Sequence, residues 1–360
     1  MKTRVLVVDD SPLIRAVLRE AFERTHDIEV VGEAGDGRQA IERVLELRPD
    51  IVTMDMVMPV MDGPCATAEI MRVRPTPIVI IARDGGNSRA LAVEALGKGA
   101  LAVFPKPAAG FDDALALELA VTVRRLASEA GQSWRFFPLP STPAEKIRVL
   151  PVDDWREPRL DPIHPVQVSI AGIVGSTGAP RVLRDLVCGL PADFPVPVVI
   201  VQHTERGYAE SFAHWLSLDS PLPVRLGREG QVLVAGEIVV APDDAHMEIH
   251  TGGVVALRTT SPVNGFRPSA TVLLTSLAAT FRQHSLGLVL SGMGSDGADG
   301  LGAIYSAGGC AIVEDPDTAT MPGMPKRALA RATGAHIEPA SRLAWLLMEL
   351  VGSGRNWKYA

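Results

Sequence analysis

VSIAGIVGSTGAP, residues 168–180, is an apolar run that stops at a glycine-flanked serine and then meets residues suited to opening a helix. Gly175 and Gly178 permit sharp backbone angles without a Cβ clash. The first turn of the following helix leaves unpaired N–H groups that favour negative charge. Ser176 therefore stands at a strand-to-helix corner, where a serine serves as a nucleophile, as part of a phosphate-cradling turn, or as an N-cap. This stretch alone does not choose between them. A nucleophile needs a base and a group that orients the base, so the choice depends on the rest of the chain.

Reading outward, the βα rhythm continues on both sides. VPVVIVQH (196–203) is a second strand that ends in His203, and LGLVLSGMGSDGADG (286–300) is a third that runs into a glycine-rich loop holding Asp296. RVLRDLVCGL (181–190) and the segment 208–218 have helical spacing. Between them the pattern turns to hairpins, VLVAGEIVVAP (232–242) and then HMEIH with VVALRT around Gly252 and Gly253. Ser269 is placed to cap the helix TVLLTSLAATF, and Ser341 to Val351 reads as an amphipathic helix. If the three strands are neighbours, Ser176, His203 and Asp296 meet at one sheet edge as nucleophile, base and orienting acid. Each alone has a bland reading, a structural histidine or a turn aspartate among them. Independent structural roles would not send all three to strand ends. The order Ser, His, Asp and the absence of a GxSxG elbow separate this arrangement from the α/β-hydrolases.

The first third repeats a βα unit five times. RVLVVDD, IEVVGEA, DIVTMDM, PIVIIA and ALAVFPKP read as strands, with SPLIRAVLREAFER and GRQAIERVLELR among the helices between them. This predicts a parallel sheet covered on both faces. Asp9 and Asp10 close the first strand, Asp55 the third, and Lys106 follows the fifth. Clustered carboxylates repel, and a hard divalent cation with oxygen ligands, typically Mg²⁺, relieves that repulsion.

Length and charge narrow the class. The 360 residues, 47% of them hydrophobic, suffice for two domains with cores of their own. A net charge of −7 gives no footprint for nucleic acid or an anionic membrane. Cys65, Cys188 and Cys310 are far apart in no metal-binding spacing, which suits a reducing compartment; with no signal-peptide core and no membrane-length apolar run, a soluble cytoplasmic protein is expected. The expected division is a domain over 1–124, a proline-rich linker over 125–165, and a second domain over 166–352. Trp134, Phe136, Phe137 and Trp155 imply that part of the linker packs on a domain or partner.

VVDD, MDMVMPVMDG and FPKP together resemble the receiver domain of bacterial two-component response regulators. The resemblance implies a flavodoxin-like fold in which Asp55 accepts a phosphoryl group from a histidine kinase. It also implies Mg²⁺ held by Asp10, Asp55 and the Val57 carbonyl, support of that shell by Asp9, and sensing of the phosphoryl charge by Lys106. Ala82 and Val103 stand where receivers carry a hydroxyl and often an aromatic ring, so phosphoryl transfer is expected to survive while its usual readout is weakened. GSTGAP, VQHTERGYAESFAHWL, VVAPDDAHM, GFRPSATVLLTSLA, SGMGSDGADGL and Gly323-Met-Pro325 resemble the catalytic domain of chemotaxis-type protein-glutamate methylesterases, the CheB family.

That second resemblance implies a Rossmann-like α/β domain with an antiparallel hairpin insert. It also implies a triad of Ser176, His203 and Asp296, and oxyanion donors at Thr177 and the Met293 N–H. The substrate would be glutamyl methyl esters on chemoreceptor helices, with glutamine deamidation as a related reaction, and the unphosphorylated receiver would cover the catalytic cleft. Ala179 and Thr204 replace a family glycine and a frequent methionine.

Other readings are weaker. Gly172, Gly175 and Gly178 as a dinucleotide turn lack an acid at the end of the next strand, where Gln202 and His203 stand. A DNA-binding output lacks a basic recognition helix. His246, Glu248 and His250 alternate along a strand without a fourth ligand, so a structural or substrate-side role is expected for them.

Overall fold

The computed structural model describes residues 2–83, 85–106, 111, 113–133 and 168–352. In the first unit β1 (Thr3–Val8), α1 (Pro12–Glu23), β2 (Ile28–Ala34), α2 (Gly37–Leu47), β3 (Ile51–Asp55), α3 (Gly63–Val73), β4 (Ile78–Arg83), α4 (Gly86–Gly97), β5 (Ala102–Lys106) and α5 (Asp113–Ser133) alternate. The strands lie in the order β2-β1-β3-β4-β5, all parallel. Such strands are buried on both faces, which is why Ile51–Asp55 reads as an unbroken buried run. Helix starts are local in origin. Ser11, Asp36 and Asp62 each accept a backbone N–H of the first turn of α1, α2 and α3. Helix α5 runs to Ser133, into the segment read as a linker; residues 134–167, with Trp134, Phe136, Phe137 and Trp155, lie outside the described residues.

The second unit contains β6 (Ile170–Gly175), α6 (Ala179–Cys188), β7 (Val198–Gln202), α7 (Ala209–Ser217), β8 (Val224–Leu226), β9 (Ile238–Val240), β10 (His246–His250) and β11 (Val254–Arg258). It continues with α8 (Ala270–Phe281), β12 (Ser285–Val289), α9 (Ala298–Ser306), β13 (Cys310–Glu314), α10 (Gly323–Arg331), β14 (His336–Glu338) and α11 (Leu343–Val351). Seven parallel strands follow the order β14-β13-β12-β6-β7-β9-β8, and β10 and β11 form a separate antiparallel pair. One expectation is corrected. VLVAGEIVVAP is no hairpin, because Ile238–Val240 inserts between β7 and β8 and pairs parallel to both.

The central strand β6 has β7 on one side and β12 on the other, so three strand ends open on one edge. Apolar side chains bury both sheet faces. One cluster continues from the first unit through Leu96, Leu101 and Phe104 to Phe212, Trp215 and Leu216 of the second. The other fills the face beneath α8, α9 and α10. Helix α4 packs on α6 and α7 across the two units. Among the described residues no helix is long and apolar enough to cross a membrane.

Candidate active site and acidic pocket

The chain leaves β6 at Gly175 and turns through Ser176 and Thr177 to Gly178, which takes a left-handed φ of 82° before α6 begins. A side chain at Gly178 would also strike Ser291 Oγ and Thr320, so the turn tolerates only glycine. The turn is tied on both sides. His203 N donates to Gly175 O at 3.0 Å, and Gln202 Nε2 bridges the carbonyls of Ser176 and His203 at 2.9 and 3.0 Å. In the loop after β12, Ser291 receives the Ser176 N–H on its carbonyl at 3.0 Å and donates its hydroxyl to Thr177 O at 2.8 Å. Ser176, Thr177 and the loop that carries Met293 are therefore fixed to one another.

Asp296 is 1% exposed and lies at the N-terminus of α8. It accepts from Ser269 Oγ, Ala270 N, Thr271 N, Asn264 Nδ2 and His203 Nε2, at 2.7 to 3.2 Å. Burial works to raise this carboxyl, but the His203 bond and the donors at the helix start outweigh it and hold it well below the usual carboxylate range. The ring of His203 is thereby fixed through Nε2, and its Nδ1 is buried without a hydrogen-bond partner. A fixed carboxylate on one ring nitrogen leaves the other free to take a proton.

The three residues singled out from the sequence thus converge at one edge. Several neighbours were not anticipated: Gln202, Ser291, and the hairpin of Val263 to Phe266 that places Asn264 on Asp296 and the Phe266 ring on His203. The dipeptide Asn264-Gly265 is itself a hairpin signal. His246 proves structural. It is 1% exposed, with Nδ1 accepting the Ser269 N–H at 3.2 Å and Nε2 donating to Ser261 O at 3.1 Å, so neither nitrogen is available to a metal. Glu248 and His250 pair with each other at 2.9 Å.

Glu314 lies beneath the site, 1% exposed, and accepts the Ser291 N–H at 2.7 Å. Burial pushes its carboxyl up to about 7, against the Ser291 hydrogen bond. The folded chain therefore keeps this proton while the unfolded chain has lost it, so ionisation costs stability as pH rises from about 4.5 to about 7. Glu314→Gln is expected to flatten that slope, by on the order of 3 kcal/mol over the window, in urea unfolding at several pH values. A slope unchanged in the variant would contradict the assignment.

In the first unit, Asp9, Asp10 and Asp55 bring carboxylate oxygens within 4.8 Å of one another. Lys106 Nζ reaches Asp9 at 2.6 Å and Asp55 at 3.3 Å. Burial raises Asp55 to about 6, opposed by Lys106 and reinforced by Asp9 and Asp10, so one ammonium does not balance the pocket. Crowded hard-oxygen donors of this kind fit a divalent cation. Ala82 and Val103 are buried beside this edge, at 1% and 9% exposure, and bring no hydroxyl or ring to it.

The two units meet over the Ser176 turn. A cleft of about 720 Å³ is lined by Ser176, His203, Phe266 and Met293 on one side and by Val103, Pro105, Glu118 and Arg125 on the other. Beside it, the Arg89 guanidinium stands 5.7 Å over the Tyr208 ring.

The family model for CheB methylesterase matches residues 171–347, and that for the response regulator receiver domain matches residues 5–115. Protein-glutamate methylesterase/protein-glutamine glutaminase 3 of Anaeromyxobacter dehalogenans is 40% identical over 353 residues, covering 95% of this chain and 99% of that protein. The corresponding protein 4 of Geobacter metallireducens is 36% identical, with 96% and 98% covered. The crystal structure of the Thermotoga maritima CheB methylesterase catalytic domain is 33% identical and covers 52% of this chain and 100% of its own, with a TM-score of 0.49. Identity over nearly the whole of both relatives, with receiver and esterase modules in this order, shows that the chain belongs to the CheB methylesterase family.

Proposed function

We propose that the chain hydrolyses methyl esters of glutamate side chains on chemoreceptor helices, releasing methanol, with Ser176, His203 and Asp296 as its triad. The observation that carries this reading is the His203–Asp296 pair, which leaves one buried imidazole nitrogen unpartnered beside a serine turn held by the same loops. His203 Nδ1 takes the Ser176 Oγ proton as the hydroxyl attacks the ester carbonyl. Thr177 and the Met293 N–H stabilise the oxyanion, and the proton passes to the departing methoxide. Water then cleaves the acyl-enzyme and restores Ser176. A glutamine amide passes through the same kind of tetrahedral intermediate, so deamidation is open to the same residues. The test is methanol release from methylated chemoreceptor membranes; a folded chain that releases none contradicts the proposal.

The acidic pocket is assigned to phosphorylation of Asp55 by a histidine kinase. Asp10, Asp55 and the Val57 carbonyl would hold Mg²⁺, with Asp9 supporting them and Lys106 facing the phosphoryl group. A cation held there would supply positive charge to offset that on the transferring phosphoryl oxygens. Because Ala82 and Val103 offer no hydroxyl or ring to follow that group, phosphorylation is expected to raise esterase activity less than a full receiver readout would.

The boundary between the units offers a separate handle. A Cβ at Gly97 would lie 2.0 Å from the Trp215 ring, which is packed against Phe212 and Arg184. Gly97→Ala would displace the Trp215 ring and is expected to loosen α4 from α7. Severalfold higher methanol release without phosphodonor is expected, and an unchanged rate would show that this contact does not restrain the esterase.

A further inference from the structure

The rings of His203 and Phe266 stack, with centroids 3.9 Å apart and planes 4° from parallel. Neutral aromatic pairs prefer offset or edge-to-face contacts with centroids about 4.5–7 Å apart, and this pair is closer. A cation reverses the preference, since its charge is drawn to the face of the partner ring. The contact is built by the backbone. Val263 and Phe266 exchange backbone hydrogen bonds of 3.1 and 3.0 Å around Asn264 and Gly265, whose φ values of 54° and 85° mark a primed two-residue turn. Asn264 Nδ2 donates to Asp296 Oδ1 at 3.2 Å, so one hairpin grips both the histidine and its carboxylate. The His203 side chain is 6% exposed, which removes the water that would otherwise screen a charge on it.

We infer that Phe266 is a positioning residue whose ring favours the imidazolium form of His203, so that its contribution grows as Ser176 gives up its proton. The inference rests on the triad proposed above. During acylation the Ser176 Oγ–H bond breaks, a bond forms from Oγ to the ester carbon, and the proton resides on His203 Nδ1 until the ester C–O bond breaks and the proton leaves on the methoxide as methanol. The ring pair is cationic in that interval and again in deacylation, while His203 holds the proton of the attacking water before returning it to Ser176 Oγ. An interaction absent from the resting enzyme and present in the transition state raises kcat without tightening substrate binding.

The test uses the full chain with Phe266→Leu, Phe266→Tyr and 3,4,5-trifluorophenylalanine at position 266. The readouts are kcat and KM for methanol release from methylated chemoreceptor membranes, with Ser176→Ala measured alongside. The fluorinated ring keeps its shape and loses the negative face. Phe266→Leu is expected to lower kcat roughly 5- to 30-fold at unchanged KM, the rate equivalent of one cation–π contact. The trifluoro variant should fall between it and the native chain, and Phe266→Tyr should stay near native. A trifluoro variant with native kcat, or a loss carried by KM, overturns the inference even where Phe266→Leu fails to fold. Should Ser176→Ala retain methanol release, the triad fails and this inference with it; a silent Ser176→Ala beside a native trifluoro variant overturns only the role of Phe266.

Discussion

Folded Ser176→Ala chain is expected to release methanol at least roughly 10³-fold more slowly than the native chain, with His203→Ala equally impaired and the double variant little worse. Such non-additivity follows from geometry. In the proposed triad Asp296 would act through His203 Nε2, and His203 on a serine whose turn is fastened through Gln202 and Ser291. Removing one member leaves the others without a task. Folding should be little changed by Ser176→Ala, since the turn is held by the main chain of Gly175, Ser176 and Thr177 rather than by the Ser176 hydroxyl. Near-native turnover by a folded Ser176→Ala chain would remove the nucleophile from the account.

Asp55→Ala is expected to abolish phosphoryl incorporation from a small phosphodonor, and chelation of divalent cations should do the same to the native chain. Asp55 lies 3.3 Å from Lys106 Nζ, and burial raises its carboxyl to about 6. A divalent cation in the pocket would favour the charged form of all three carboxylates together. Labelled phosphate counted on the protein decides the matter, because label persisting in Asp55→Ala would move the acceptor elsewhere.

What was legible in the sequence was what a period of βα units fixes. Alternation of apolar strands with capped amphipathic helices located both parallel sheets, and parallel sheets collect strand-end residues on one edge. Asp9, Asp10, Asp55 and Lys106 on one sheet, and Ser176, His203 and Asp296 on the other, followed from that rule. Ser269 was recognisable as an N-cap, yet its hydroxyl both accepts from Val272 N and donates to Asp296, a second task that no local pattern records. Strands β8 and β9 are three residues each, too short to carry a period, and the apolar symmetry of VLVAGEIVVAP imitates a hairpin. Phe266 and Asn264 escaped because their partners lie in distant elements; Asn264-Gly265 announces a turn but not what the turn will touch. Glu314 resembles any acid ending a strand until the packing around β13 closes over it.

The central claim is that Ser176 Oγ is the nucleophile of an esterase, and covalent labelling tests it most directly. The full chain is treated with a fluorophosphonate that reacts with activated serines, and methanol release and the labelled peptide are followed together. The account predicts one adduct, on Ser176, whose extent tracks loss of activity and which fails to form in His203→Ala. Activity that persists with Ser176 fully labelled, or inactivation with the label on another residue, would contradict it.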